Sequence, residues 1–259
     1  MLTERDLHKS LADLPLGGVR FFEQTGSTND AALAWAADNA PNLALVCADE
    51  QTRGRGRGGH TWFTPPGAAL AFSLVLRPQE GEELLLSLFS GLGALAVCEA
   101  LEGLGLHPQI KWPNDVLLGG RKVCGVLPEA VWLGDQLDSV ALGIGVNVTP
   151  EAVPPPERLA YPATCVETEA GRRVERPALL RQMLLSLLRW RGLVAEAAFL
   201  TAWQARLAFR GQPVEVRAAD ETRGGLLDGL EADGSLRLVD DSGQAFSVHF
   251  GEVHLRPVV

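Results

Sequence analysis

Between residues 109 and 148 the chain doubles back repeatedly, with no room between strands for a crossover. Residues 109–112 read as a short strand stopped by Pro113, and residues 116–118 run into the tight Gly119-Gly120-Arg121-Lys122 hairpin. Residues 123–133 and 136–148 pair around Gly134-Asp135. Parallel neighbours need connections of a dozen or more residues. The pattern therefore predicts an α+β fold with a mixed, largely antiparallel sheet and helices, not a doubly wound parallel one.

The flanking segments fill in this plan. A helix is expected over residues 2–14 with Thr3 as its cap, then a strand at 19–23 and a helix at 31–37. Strands follow at 43–48 and 69–76, covered by a helix over 84–104. Residues 150–162, with Pro154-Pro155-Pro156, read as a loop, and helices are expected at 177–191 and 195–208. After Gly211 the texture changes to short alternating stretches separated by Asp-Gly and Ser-Gly turns, the pattern of a small β-barrel. The boundary is set near Leu207, giving units of 1–206 and 207–259.

At 259 residues the chain can hold a large core and a small second unit. Its net charge of −9 argues against a general nucleic-acid-coating role, so no DNA partner is expected. Cys47, Cys98, Cys124 and Cys165 form no C-x-x-C pair and read as buried thiols in a reducing compartment. The charged N-terminus is no signal peptide. The apolar run at 84–98 is shorter than a bilayer span and holds two glycines and two serines. No membrane association and a cytoplasmic location are expected.

Four polar segments stand out from this framework. Arg53, Arg55 and Arg57 alternate with Gly54, Gly56 and Gly58, after Gln51 and before Trp62. Glycine is costly to order, so this loop reads either as a solvated surface loop or as one mobile when empty that orders around an anion. Ser27-Thr28-Asn29 opens a helix, where Ser27 or Thr28 serves as N-cap or these groups bind a polar ligand head. Lys111-Trp112-Pro113-Asn114-Asp115, followed by Lys122 and Gly125, offers two ammonium groups for phosphate or carboxylate. Asp115 is a candidate for a divalent cation or an amine proton; its alternative is a partly exposed ion pair with Lys111. Gly143 and Gly145 in a strand ending at Asn147 imply close approach of another group.

Together these segments resemble biotin protein ligases. Gly54 to Trp62 is similar to that family's G-R-G-R-x-G-x-x-W loop, Lys111 to Asp115 to its K-W-P-N-D, and Lys122 to Leu127 to its K-x-x-G-x-L. Ser27-Thr28-Asn29 and Gly143 to Asn147 resemble its S-T-N and G-x-G-x-N elements, all in the family's order. The resemblance implies a catalytic domain like that of class II aminoacyl-tRNA synthetases plus a C-terminal SH3-like barrel. It also implies ATP and biotin as substrates, Mg²⁺, and a biotinyl-5′-adenylate intermediate. The acceptor would be a lysine on the biotin carrier domain of acetyl-CoA carboxylase or a related carboxylase.

By the same resemblance, Ser27, Thr28, Asn29, Gln51, Arg55, Gly56, Arg57, Lys122, Gly125 and Gly143 surround biotin. Arg57, Trp62, Lys111, Asn114, Asn147 and Arg256 meet the nucleotide. Lys122, Asp115, Arg55 and Arg57 carry the chemistry, with Asp115 as metal ligand. Arg53 and Pro128 depart from the family pattern. The DNA-binding domain of bifunctional members does not precede the catalytic unit, so no repressor activity is expected. Exposed strand edges leave room for a homodimer. A lipoate ligase is the neighbouring enzyme reading, disfavoured by the Arg-Gly loop and Lys111 to Asp115. An Arg-Gly RNA-binding module is disfavoured by the acidic chain, and a P-loop ATPase lacks its motif.

Overall fold

In the computed structural model, the described residues are 2–78, 81–159, 161–218, 221–249 and 253–257, with only the backbone described at 158, 217, 218, 221 and 253–257. Helix α1 (Glu4–Leu11) is capped by Thr3, whose hydroxyl oxygen accepts from the Asp6 amide, and it buries Leu7 and Leu11. Then come β1 (Gly18–Thr25), α2 (Thr28–Ala37), β2 (Ala44–Gln51) and β3 (Ala69–Leu76). Helix α3 (Phe89–Glu102) precedes β4 (Pro108–Lys111), β5 (Asp115–Leu118), β6 (Arg121–Leu133) and β7 (Gln136–Asn147).

These strands form a seven-stranded sheet in the order β1-β2-β3-β7-β6-β5-β4. Only β1 and β2, joined through α2, run parallel; the other pairings are antiparallel. Strand β3 is buried along its whole length, which explains its unbroken Ala-Leu-Ala-Phe-Ser-Leu-Val-Leu run. The segment Glu82–Glu102 is long and apolar enough to cross a membrane, yet an 18-residue apolar stretch of it is 72% buried inside the fold, as a core helix requires. The four cysteines are free and buried, and burial pushes the Cys47 thiol up to about 12.

Beyond β7 lie α4 (Val166–Ala170), α5 (Arg176–Arg191) and α6 (Ala197–Ala205). The five-residue α4 falls outside the sequence expectation, being too short to show a period. Strands β8 (Pro213–Ala218), β9 (Glu221–Leu230), β10 (Leu236–Val239), β11 (Ala245–Val248) and β12 (Val253–Pro257) make a second, antiparallel sheet. Its order is β11-β10-β9-β8-β12, so β11 and β12 are edges and the described pairings leave it open, without the expected barrel closure.

The two sheets share one hydrophobic core cluster. Trp112, at the end of β4, is buried and donates its indole N–H to the Gly234 carbonyl between β9 and β10 at 2.8 Å. Residues 206–208 lie along β4: the Ile110 amide donates to Arg206 O and the Ala208 amide to Ile110 O. That strip covers an edge that would otherwise offer unpaired amides.

Candidate active site

A cavity of about 640 Å³ opens where α2, the loop after β2, and the ends of β4 to β7 meet. It is lined by every residue that the resemblance assigns to biotin, the nucleotide or the chemistry, except Arg256. Arg256 lies on β12, and its side chain falls outside the described residues.

One wall is a neutral polar floor. Ser27 sits at the N-cap position of α2 but makes no side-chain cap bond, so the capping alternative fails for its hydroxyl. The first helical amide, Thr28 N–H, instead donates to Gln51 Oε1 at 2.8 Å, and the Thr28 hydroxyl lies 3.1 Å from the same oxygen. Gln51 in turn donates to Thr64 Oγ1 at 3.1 Å, and its backbone amide bonds Thr64 O, pinning the two roots of the Arg-Gly loop together. The hydroxyl of Ser73 lies 2.6 Å from Asn29 Oδ1 and 2.8 Å from Thr28 Oγ1. Sequence reading did not single out Ser73, because its signal is merely one polar residue in an apolar strand.

Strand register explains why the glycines are where they are. Gly143 and Gly145 share one face of β7, opposite Leu127 and Gly125 of β6. A Cβ at Gly143 would stand 2.3 Å from Asn29 Oδ1, and one at Gly145 would stand 2.3 Å from the Trp62 indole nitrogen. The close approach inferred from sequence is real, but the approaching groups are the protein's own Asn29 and Trp62. Trp62 lies across Gly125 and Gly145 as a flat wall.

The opposite side is cationic. Lys111 and Asp115 face each other directly across β4 and β5, with Nζ and Oδ2 4.0 Å apart. Lys122 reaches Asp115 Oδ1 at 2.6 Å because the β5–β6 ladder slips by one residue between Val116 and Leu117. That slip turns Lys122 onto the face it would otherwise point away from. Two ammonium groups around one carboxylate leave a single net positive charge, and all three side chains are at least two-thirds buried. Lys111 Nζ also sits 4.5 Å from the Tyr161 ring centre, and Lys122 Nζ sits 5.5 Å from that of Trp62. Burial first, and then the charge of Asp115, pushes the Tyr161 phenol up.

Asn114 and Asn147 line the cavity while donating to backbone carbonyls, Asn114 to Val126 O and Asn147 to Thr164 O. Each of these amide groups carries a second N–H and an oxygen besides the N–H used in that bond. Pro154, Pro155, Leu159, Tyr161 and Ala163 form a wall read from sequence only as a connecting loop. Its hold on the site is direct: the Lys122 amide donates to Pro162 O at 2.8 Å, and the Thr164 amide to Lys122 O at 2.9 Å.

The Arg-Gly loop folds back on itself as a narrow antiparallel excursion. Arg55 bridges Thr61, the Gly56 amide donates to His60 O, and the Trp62 amide donates to Gly54 O. Gly58 and Gly59 take φ of 63° and 77°, which only glycine adopts at low cost. Gly56 and Arg57 line the cavity. Arg53 is exposed, with its guanidinium beside Gly26.

Arg55 lines the cavity and is held by two carboxylates, Asp30 at 2.7 and 2.8 Å and Glu129 at 3.0 Å. The Asp30 carboxyl is held below its ordinary value chiefly by its hydrogen bond to Arg55, and Arg55 is raised for the same reason.

A resident metal does not fit this donor set. Among the described residues no three His, Cys, Asp or Glu side chains cluster to hold one, and Asp115 is already engaged by two ammonium groups.

Comparison with known proteins gives a consistent picture. Residues 21–147 match the model of the biotin/lipoate A/B protein ligase family. The chain is 38% identical over 241 residues to the biotin--[acetyl-CoA-carboxylase] ligase of Paracoccus denitrificans, covering 88% of this chain and 98% of that one. It is 32% identical over 231 residues to the bifunctional ligase/repressor BirA of Bacillus subtilis, covering 86% and 70% respectively. Its fold is similar to the biotin protein ligase from Aquifex aeolicus in complex with biotin and ATP. That match has a TM-score of 0.80 and 28% identity, and it covers 93% of this chain and 99% of that one.

Proposed function

Because this chain belongs to the biotin protein ligases of the biotin/lipoate A/B protein ligase family, we propose that its cavity joins biotin to ATP. The biotinyl group then passes to a lysine on the carrier domain of acetyl-CoA carboxylase or a related carboxylase. The observation that carries this reading is one cavity with a neutral hydrogen-bonding floor on one side and a net-positive cluster on the other. Biotin needs both: a ureido ring with donors and acceptors, and a carboxylate that must meet a phosphate.

In the first step a biotin carboxylate oxygen attacks the α-phosphorus of ATP and pyrophosphate leaves. Negative charge builds on the phosphoryl oxygens, so Lys122, Lys111 and Arg57 act by holding positive charge where it develops. Ser27, Thr28, Asn29 and Gln51 hold the ureido ring, while Trp62, Asn114 and Asn147 flank the adenine. In the second step the acceptor amine attacks the acyl carbon and AMP leaves. Asp115 orients Lys122 and takes up the amine proton. The Arg-Gly loop and the wall at Tyr161 shelter the mixed anhydride from water.

Magnesium, in this reading, arrives on the phosphates of ATP as part of the substrate. Residues 1–206 act as the catalytic unit and 207–259 as an SH3-like unit that brings Arg256 toward the nucleotide. The free buried cysteines support a cytoplasmic setting. The free β1 edge is where a second copy would add in a homodimer.

Pyrophosphate exchange into ATP, run with biotin and lipoate side by side, tests the reading. Lipoate lacks the ureido group and leaves the floor unpaired, so its exchange should fall by about 10⁴ or more. Lys122→Ala should slow biotin-dependent exchange by about 10²–10³ while equilibrium binding of biotin persists. Exchange driven equally by lipoate, or unchanged in Lys122→Ala, contradicts the assignment.

A further inference from the structure

We propose that Glu129 is a positioning residue that fastens the Arg-Gly loop to the polar floor, making Arg55 the anchor of the loop and not a contact to the reacting anions. Glu129 lies on β6, two residues beyond Leu127 on the same face, and so projects toward the cavity rim. Its Oε2 accepts from Asn29 Nδ2 at 2.5 Å and from Arg55 Nη2 at 3.0 Å. One carboxylate oxygen therefore holds both a floor residue and a loop residue.

Charge counting supports a linking role. Asp30 alone neutralises Arg55 through two contacts, so Glu129 is a surplus carboxylate as far as charge is concerned. It stands beside a cavity built to gather anions, where an unpaired carboxylate would repel them. What it adds is the tie to Asn29, whose Nδ2 also donates to Leu127 O and whose Oδ1 meets Ser73. The chain of contacts runs from Thr64 and Gln51 at the loop roots, through Thr28, Ser73 and Asn29, to Glu129 and Arg55 inside the loop. A ligand that engages Asn29 thus bears on the same carboxylate that holds Arg55.

The anchoring rests on geometry alone; its consequence for catalysis rests on the ligase reading. The loop carries its own probe, since trypsin cleaves after Arg53, Arg55 and Arg57 when they can be reached. With purified full-length chain and no substrate, Glu129→Gln and Glu129→Ala should be nicked within the loop about three- to tenfold faster than wild type. In an Arg55→Met background, Glu129→Gln should add nothing further. With substrates, Glu129→Gln should raise the KM for biotin and speed loss of the adenylate by similar factors, with kcat for exchange little changed. Glu129→Asp, which keeps the charge, should recover part of each effect.

Nicking at the wild-type rate in both variants overturns the proposal, as does an additive effect with Arg55→Met. Glu129→Gln is nearly isosteric and decides the matter if Glu129→Ala does not fold. A wild-type protein inactive with biotin would sink the ligase reading while leaving the nicking result to judge the anchor.

Discussion

With no side chain at Gly145 the Trp62 indole lies against the strand, where an added Cβ would stand 2.3 Å from its nitrogen. Two glycines within a strand announce that something approaches the backbone, and the structure supplies Trp62 and Asn29. Which group approaches depends on partners far away in sequence. Likewise nothing in an Arg-Gly repeat reveals Glu129, 74 positions further on, as the partner of Arg55. Gly145→Ala should push Trp62 off its seat and raise the KM for ATP about tenfold, a typical overpacking cost, with far-UV circular dichroism unchanged. Gly125→Ala, whose Cβ would meet Trp62 at the milder distance of 3.2 Å, should cost less. Equal effects would mean that Trp62 is not seated as described. Titration of Asp30 provides a second handle. Its folded value lies below the ordinary 3.8 because Arg55 holds the charged form. Its contribution to stability is therefore present above that value and lost as pH falls through the lowered one. Asp30→Asn should lower the melting temperature at pH 7, and the difference from wild type should shrink as pH falls below 3.8 and through the lowered folded value.

At the scale of elements, the hairpins from β4 to β7 were readable because turn chemistry and alternation agree there. The one-residue slip that turns Lys122 onto Asp115 was not readable, since a bulge without a glycine leaves no local mark. Neither was the role of the proline-rich segment, whose wall position depends on its tie to Lys122. Strand β2 and helix α5 are locked by another contact hidden from sequence. Arg176, at the start of α5, pairs with Asp49 at 2.7 Å, both side chains being over nine-tenths buried. Asp49 also accepts from the Gly67 amide, and Arg176 donates to Ala69 O. Removing one partner leaves an uncompensated buried charge, so Arg176→Ala should cost about 3–5 kcal/mol in urea unfolding. A loss below about 1 kcal/mol would show that water reaches the pair.

For the molecule as a whole, the change of texture after Gly211 marked the second sheet correctly, but its closure could not be judged from strand count. Short strands fix their number, whereas closure depends on pairing between edges. The central claim is that one cavity brings two anions together and hands the product to a protein lysine. The most direct test mixes the purified chain with biotin, ATP and a biotin carrier domain, and follows the carrier by intact-mass spectrometry. A single biotinyl addition on one carrier lysine, requiring both ATP and biotin and absent with Lys122→Ala, is the predicted result. A carrier whose mass stays unchanged while the chain is folded and both substrates are present would contradict it.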